Sequence, residues 1–137
     1  MINEEKMYDL IKFEDGDFSL DVKVDPSKDT VWLTANQIAL LFDRDEKTIR
    51  KHINNALDEE CDFSTVAKFE TVQLEENRSV KRNIEHYNLD IIISVGYRVK
   101  SQNVVLFRKW ATSILKEYLI KGSYILLENL FIISYFI

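Results

Sequence analysis

Lys47, Thr48, Arg50, Lys51 and Asn54 fall within eight residues and place three cations, a hydroxyl and a carboxamide on one short segment. Arg and Lys donate to guanine or to phosphate oxygens, and Asn can pair with adenine. The chemistry open to this set is therefore recognition of an anionic, hydrogen-bonding polymer. A second basic set, Arg78, Lys81 and Arg82, suits a hairpin lying along a phosphate backbone, although a charged, solvent-facing hairpin describes it equally well. Arg98, Lys100, Arg108 and Lys109 either extend such a face or keep the polar side of a core helix wet.

Catalytic chemistry is poorly served. Glu75-Glu76 and Asp58-Glu59-Glu60 are neighbours in a run, which read as solvated loop charge and not as groups converging on one site. There is no phosphate-binding glycine loop and no nucleophile elbow. Cys61 has acidic neighbours, which raise a thiol pKa and make it a poor nucleophile. As the single cysteine it excludes an internal disulfide and fits a reducing cytoplasm. His52 beside Lys51 can donate to phosphate, and His86 has no ligand-spaced partner. No enzyme activity, cofactor or metal is expected.

The net charge of −5 argues against a nucleic-acid partner until its distribution is counted. Residues 1–29 hold nine Asp/Glu against four Lys/Arg, so this arm alone carries the excess. The remainder is neutral, and Ile91 to Lys116 contains five cations and no acid. Local fields, more than the total, decide whether a phosphate is attracted.

These residues must be positioned by short elements. Leu10–Phe13 and Phe18–Val24, around an Asp-Gly step, predict an N-terminal hairpin. Thr34 is a good N-cap for a helix over 35–42, with Ile38, Leu41 and Phe42 at helical spacing. After Asp43-Arg44-Asp45, Ile49, Ile53 and Leu57 mark the buried stripe of a second helix. Val66–Leu74 and Val80–Tyr87 predict a second hairpin with Glu75–Ser79 as its loop. Asn88 caps a helix to about Tyr97, although Ile91-Ile92-Ile93 alone would suit a strand. Ser101 caps a longer helix whose stripe of Phe107, Trp110, Ala111, Ile114 and Tyr118 ends near Gly122. Phe107 and Trp110 are core residues on this reading, not base-stacking platforms. The tail, Tyr124–Ile137, is apolar at eleven of fourteen positions, shorter than the roughly 20 residues of a membrane span, and reads as core or partner surface.

Trp32–Leu57 has the layout of a helix-turn-helix, with small Ala39 where the two helices approach. A helical pair whose Lys and Arg are merely solvated shares that layout. The segments WLTANQIALLFDRDEKTIRKHINNAL and YNLDIIISVGYRVKSQNVVLFRKWATSILKEYLIKG resemble the N-terminal region of the RhuM virulence-protein family and, more distantly, the Bro-N domain of phage antirepressors. The resemblance covers roughly Met7 to Gly122. It implies a DNA-binding domain linked to phage, mobile elements or pathogenicity islands. Two features depart from the pattern: Asp43 and Arg44 stand where such turns have Gly and an apolar residue, and YILLENLFIISYFI does not match the family's continuation, as in a truncated chain. Asp tolerates the left-handed backbone better than most residues.

The expectation is an α+β chain: N-terminal hairpin, helix-turn-helix, second β-hairpin as a wing, and two C-terminal packing helices. Residues 1–122 form a DNA-binding domain, with the helix-turn-helix at 34–57, followed by an apolar tail at 123–137. The expected partner is double-stranded DNA, bound by a cytoplasmic homodimer that regulates transcription and has no membrane role. An antirepressor-like module that binds a repressor or host protein is the competing expectation.

Overall fold

The structure, a computed structural model, describes residues 8–60 and 65–136, with the side chains at 60, 71, 73 and 122–136 excepted. Cys61 and the side chains of the apolar tail lie outside the described residues. The fold is α+β, with four helices and two small antiparallel sheets. Among the described residues, no helix is long and apolar enough to cross a membrane.

The first sheet begins as expected. β1 (Asp9–Asp15) pairs antiparallel with β2 (Phe18–Asp25), and Leu20, Val22 and Val24 bury alternate positions of β2. The turn pivots on Gly16-Asp17, one residue later than the Asp-Gly step suggests, because Gly16 supplies the left-handed backbone at φ 60°. A 3-10 turn at Pro26–Lys28 then leads into β3 (Thr30–Trp32), a third strand that pairs with β2. Sequence periodicity misses β3 because all three of its residues are buried and no alternation remains.

α1 (Ala35–Phe42) has the predicted bounds. The Thr34 hydroxyl accepts from the Gln37 amide at 3.1 Å, and the Gln37 carboxamide accepts from the Thr34 amide at 3.0 Å. This reciprocal cap satisfies two otherwise orphaned donors. α2 spans Glu46–Glu60. β4 (Val66–Glu75) and β5 (Arg78–Tyr87) form a two-stranded ribbon. The predicted five-residue loop is only a two-residue turn, because Glu76 (φ 48°) and Asn77 (φ 64°) both adopt the left-handed conformation that suits a tight hairpin.

The Asn88 side chain accepts from the Ile91 amide at 3.1 Å and caps α3 (Leu89–Arg98), which decides this segment in favour of helix. α4 runs from Asn103 to Phe136 and does not stop near Gly122. One interior glycine costs a helix about 1 kcal/mol relative to alanine, and no proline follows to end it.

The core joins Val22 and Val24 of the first sheet and Leu33 just after it to Ile38 and Phe42 of α1, Ile49 and Ile53 of α2, Ile91 and Val95 of α3, and Phe107 and Ala111 of α4. Trp110 packs edge-on against Phe13, with ring centroids 5.4 Å apart. A mutual pair of backbone hydrogen bonds between Leu33 and Tyr87 ties the ribbon to this body.

Gly96 sits where α3, α4 and α1 meet. A Cβ there would come within 2.5 Å of Val104 Cγ2 and 2.8 Å of Phe42 Cζ, both parts of buried side chains. Gly96→Ala should therefore destabilise the protein by about 1–3 kcal/mol from overpacking, despite the better helix propensity of alanine, read as a lower urea midpoint.

His86 is buried, with Nδ1 against the Ile84 carbonyl at 2.9 Å. Nδ1 must then donate, which leaves Nε2 as an unpartnered acceptor. Burial, reinforced by the charge of Lys23, pushes the imidazole pKa down to about 4 against the carbonyl's opposing pull. The unfolded imidazole takes up its proton near pH 6.5 and the folded one near 4, so the unfolded state binds more protons through that window. Stability should fall by about 3 kcal/mol as pH drops across it. Urea midpoints measured against pH should show this loss and should show it reduced in His86→Leu.

Candidate nucleic-acid interface

α2 turns Ile49, Ile53 and Ala56 into the core. On the far side, Lys47, Arg50, Lys51 and Asn54 are all exposed, and their spacing of three and four residues aligns them in one stripe. Thr48 does not join them. Its hydroxyl donates to Asp45 Oδ1 at 2.6 Å, and its amide donates to Oδ2 at 3.0 Å. Thr48 and Asp45 thus cap the start of α2, and these two hydrogen bonds hold the Asp45 carboxyl below its ordinary range. Arg50 reaches back one turn to Glu46 at 2.7 Å. This pair is solvent-exposed, so it is weak and separable.

The connection before α2 departs from the glycine-containing pattern and compensates locally. Asp43 adopts φ 53°, ψ 54° and donates its amide to carbonyls at the end of α1. Arg44 lies outside the core, where its guanidinium donates to the Phe42 and Asp43 carbonyls at 2.9 and 3.0 Å and to Val99 at the end of α3 at 3.0 Å.

The ribbon divides its basic residues. Cross-strand partners share a face, and the register sets Lys68 opposite Glu85, Glu70 opposite Asn83, and Val72 opposite Lys81 on one side. Arg78 and Arg82, at alternate positions from Lys81, belong to the other side. The structure therefore does not gather Arg78, Lys81 and Arg82 into a single cluster. Lys81 approaches Glu70 at 3.6 Å, and Arg82 grips Glu75 in a two-pronged contact at 2.8 and 2.7 Å.

A cleft of about 660 Å³ opens between the helix pair and the ribbon, with Asn36, Glu46 and Arg50 on one wall and Lys68, Asn83 and Glu85 on the other. Lys68, Asn83 and Asn36 were not singled out in the sequence. The strand register, which puts Lys68 and Asn83 on the face beside α2, reveals those two, and the packing of α1 against the ribbon reveals Asn36. His52 is half-buried and stands off the stripe. Of the later cations, Arg98 pairs with Glu59 and Arg108 donates to the Tyr97 hydroxyl at 3.0 Å. Phe107 is fully buried and Trp110 packs against the core.

Fold and surface define a small α+β chain that displays its polar groups on a helix stripe and a ribbon. Residues 64–131, just under half of the chain, match the model of the virulence protein RhuM family. The matched segment covers the ribbon, α3 and most of α4, while α1 and α2 lie outside it. No curated protein and no solved structure matches the chain.

Glycine is the residue best suited to the left-handed backbone at position 43. Asp43→Gly should stabilise the protein by about 0.5–1 kcal/mol through relief of backbone strain, seen as a higher urea midpoint. A lower midpoint would mean that the carboxylate itself supports the turn.

Proposed function

We propose that the chain is a DNA-binding module in which α1 and α2 form a helix-turn-helix, α2 reads the major groove, and the ribbon acts as a wing along the backbone. In this reading it works as a cytoplasmic homodimer that regulates transcription of phage, mobile-element or virulence genes, and it has no catalytic role. The observation that carries the reading is the single outward stripe of Lys47, Arg50, Lys51 and Asn54 on a helix held at a fixed angle by Ile38, Phe42, Ile49 and Ile53. The resemblance of Trp32–Leu57 to Bro-N domains and the virulence association in the family's name agree with it. Lys68, Lys81 and Asn83 supply further donors on the ribbon face beside this stripe.

The mixed charge of the cleft favours a second reading. Glu46 and Glu85 stand among its cations, a pattern that a repressor or host protein complements better than a phosphodiester does.

Fluorescence anisotropy against a pool of random duplexes, measured at several salt concentrations, separates the two. Binding should weaken with salt at a slope of about −0.9 per phosphate contacted. Arg50→Ala with Lys51→Ala should reduce affinity roughly tenfold or more and flatten the slope by about 2. Absence of binding at low salt, or indifference to the double substitution, would shift the assignment to the protein-binding module.

A further inference from the structure

We infer that the outer edge of β4 is the interface between two copies of this chain, paired antiparallel about a two-fold axis at Val72. The inference rests on the dimeric part of the reading above and is independent of its DNA-binding part. β4 pairs with β5 on one side only, in one-to-one register over ten residues. It carries no proline, and its unbroken register leaves no bulge. Among the described residues, no backbone hydrogen bond reaches its other edge. Long edge strands are ordinarily protected by such devices, and an unprotected one templates pairing with another chain.

Val72 and Leu74 are 65% and 77% exposed and, two residues apart, share one face of the ribbon. The opposite edge is less suitable, since the Tyr87 end of β5 is already bridged to Leu33.

A duplex, which the wing reading places along the cations of the ribbon, is not the occupant that the apolar Val72–Leu74 edge favours. The ribbon holds four cations and four carboxylates between residues 66 and 87, Lys81 and Arg82 contact carboxylates, and Glu75 and Glu76 stand at the tip. A second copy fits better, because a two-fold interface needs a self-complementary strand. An axis at Val72 sets Val72 against its own copy and Leu74 opposite Glu70, with the pairing ending at Phe69 opposite Glu75, before the turn at Glu76. The two valines then meet at the axis, and each leucine lies diagonal to the opposing valine. An axis at Glu70 would oppose like charges, and one at Thr71 would set Val72 against Glu70 and Leu74 against Lys68 with no apolar pair across the seam, so of these three Val72 is the favoured axis. The product is a continuous four-stranded sheet across the dimer.

Sedimentation equilibrium of the full chain without DNA tests the interface. A dimer is expected, with Val72→Lys raising its dissociation constant roughly tenfold or more by placing like charges across the axis. In a Cys61→Ser background, Val72→Cys should give a disulfide-linked dimer on mild oxidation, and Leu40→Cys on exposed α1 should not. A chain that stays monomeric, or a dimer indifferent to Val72→Lys, would overturn the interface. Duplex binding by a monomeric chain would leave the DNA-binding reading intact, and a Val72-dependent dimer that ignores duplex would leave the interface intact.

Discussion

One antiparallel bridge organises this molecule. The Leu33 amide donates to the Tyr87 carbonyl at 3.1 Å, and the Tyr87 amide returns a bond to the Leu33 carbonyl at 2.8 Å. Both residues are buried, so neither bond is exchanged for water without leaving orphaned backbone groups. Each is followed at once by a helix cap, Thr34 for α1 and Asn88 for α3. The Thr30 hydroxyl accepts from the Leu89 amide at 3.0 Å and fixes the second departure against the first sheet. The bridge thus sets where both helices start and where the ribbon leaves the body, and the cleft between α2 and the ribbon follows from those choices.

Electrostatics in the cleft are nearly balanced, and the balance shapes what the surface can do. Arg50 is exposed and held by a single carboxylate, so an incoming phosphate can replace Glu46 at little cost. Arg82, gripped by both oxygens of Glu75, is less readily released. Tight sequence-independent binding requires many unopposed cations, which this surface lacks. On the proposed DNA-binding reading, recognition would therefore rest on a few residues and on duplication of the module by a two-fold axis.

Local signals in the sequence carried the helices well. Thr34 and Asn88 announce themselves as caps because a short polar side chain before an apolar period has few other uses, and the bounds of α1 and α3 follow. β3 was not legible, since a three-residue strand buried on every side has no period to detect. The ribbon turn was missed because Glu76 is not a residue expected at positive φ. That error hid the register, and without the register the alternation that separates Lys81 from Arg78 and Arg82 is invisible. Thr48 was grouped with the outward cations because proximity in sequence says nothing about angle around a helix, and its true role depends on Asp45. The burial of His86 and the closeness of Gly96 to Val104 depend on contacts between distant segments.

The family match and the proposed reader occupy different parts of the chain, and the structure connects them. Residues 64–131 span the ribbon, α3 and most of α4, yet the α1–α2 connection leans on that segment at three points. Arg44 donates to the Val99 carbonyl at 3.0 Å, the Asn103 side chain donates to the Leu41 carbonyl at 2.9 Å, and Gly96 leaves room for Phe42. A helix pair joined by Asp-Arg-Asp has neither the glycine nor the apolar residue that would hold its turn from within. Its turn is held locally by the Asp43 and Arg44 amides and the Asp45 cap, and its angle is braced in addition by the corner where α3 passes into α4. The segment that matches the family model is therefore one support for the orientation of α2, and changes at the α3–α4 corner reach the outward stripe without touching any of its residues.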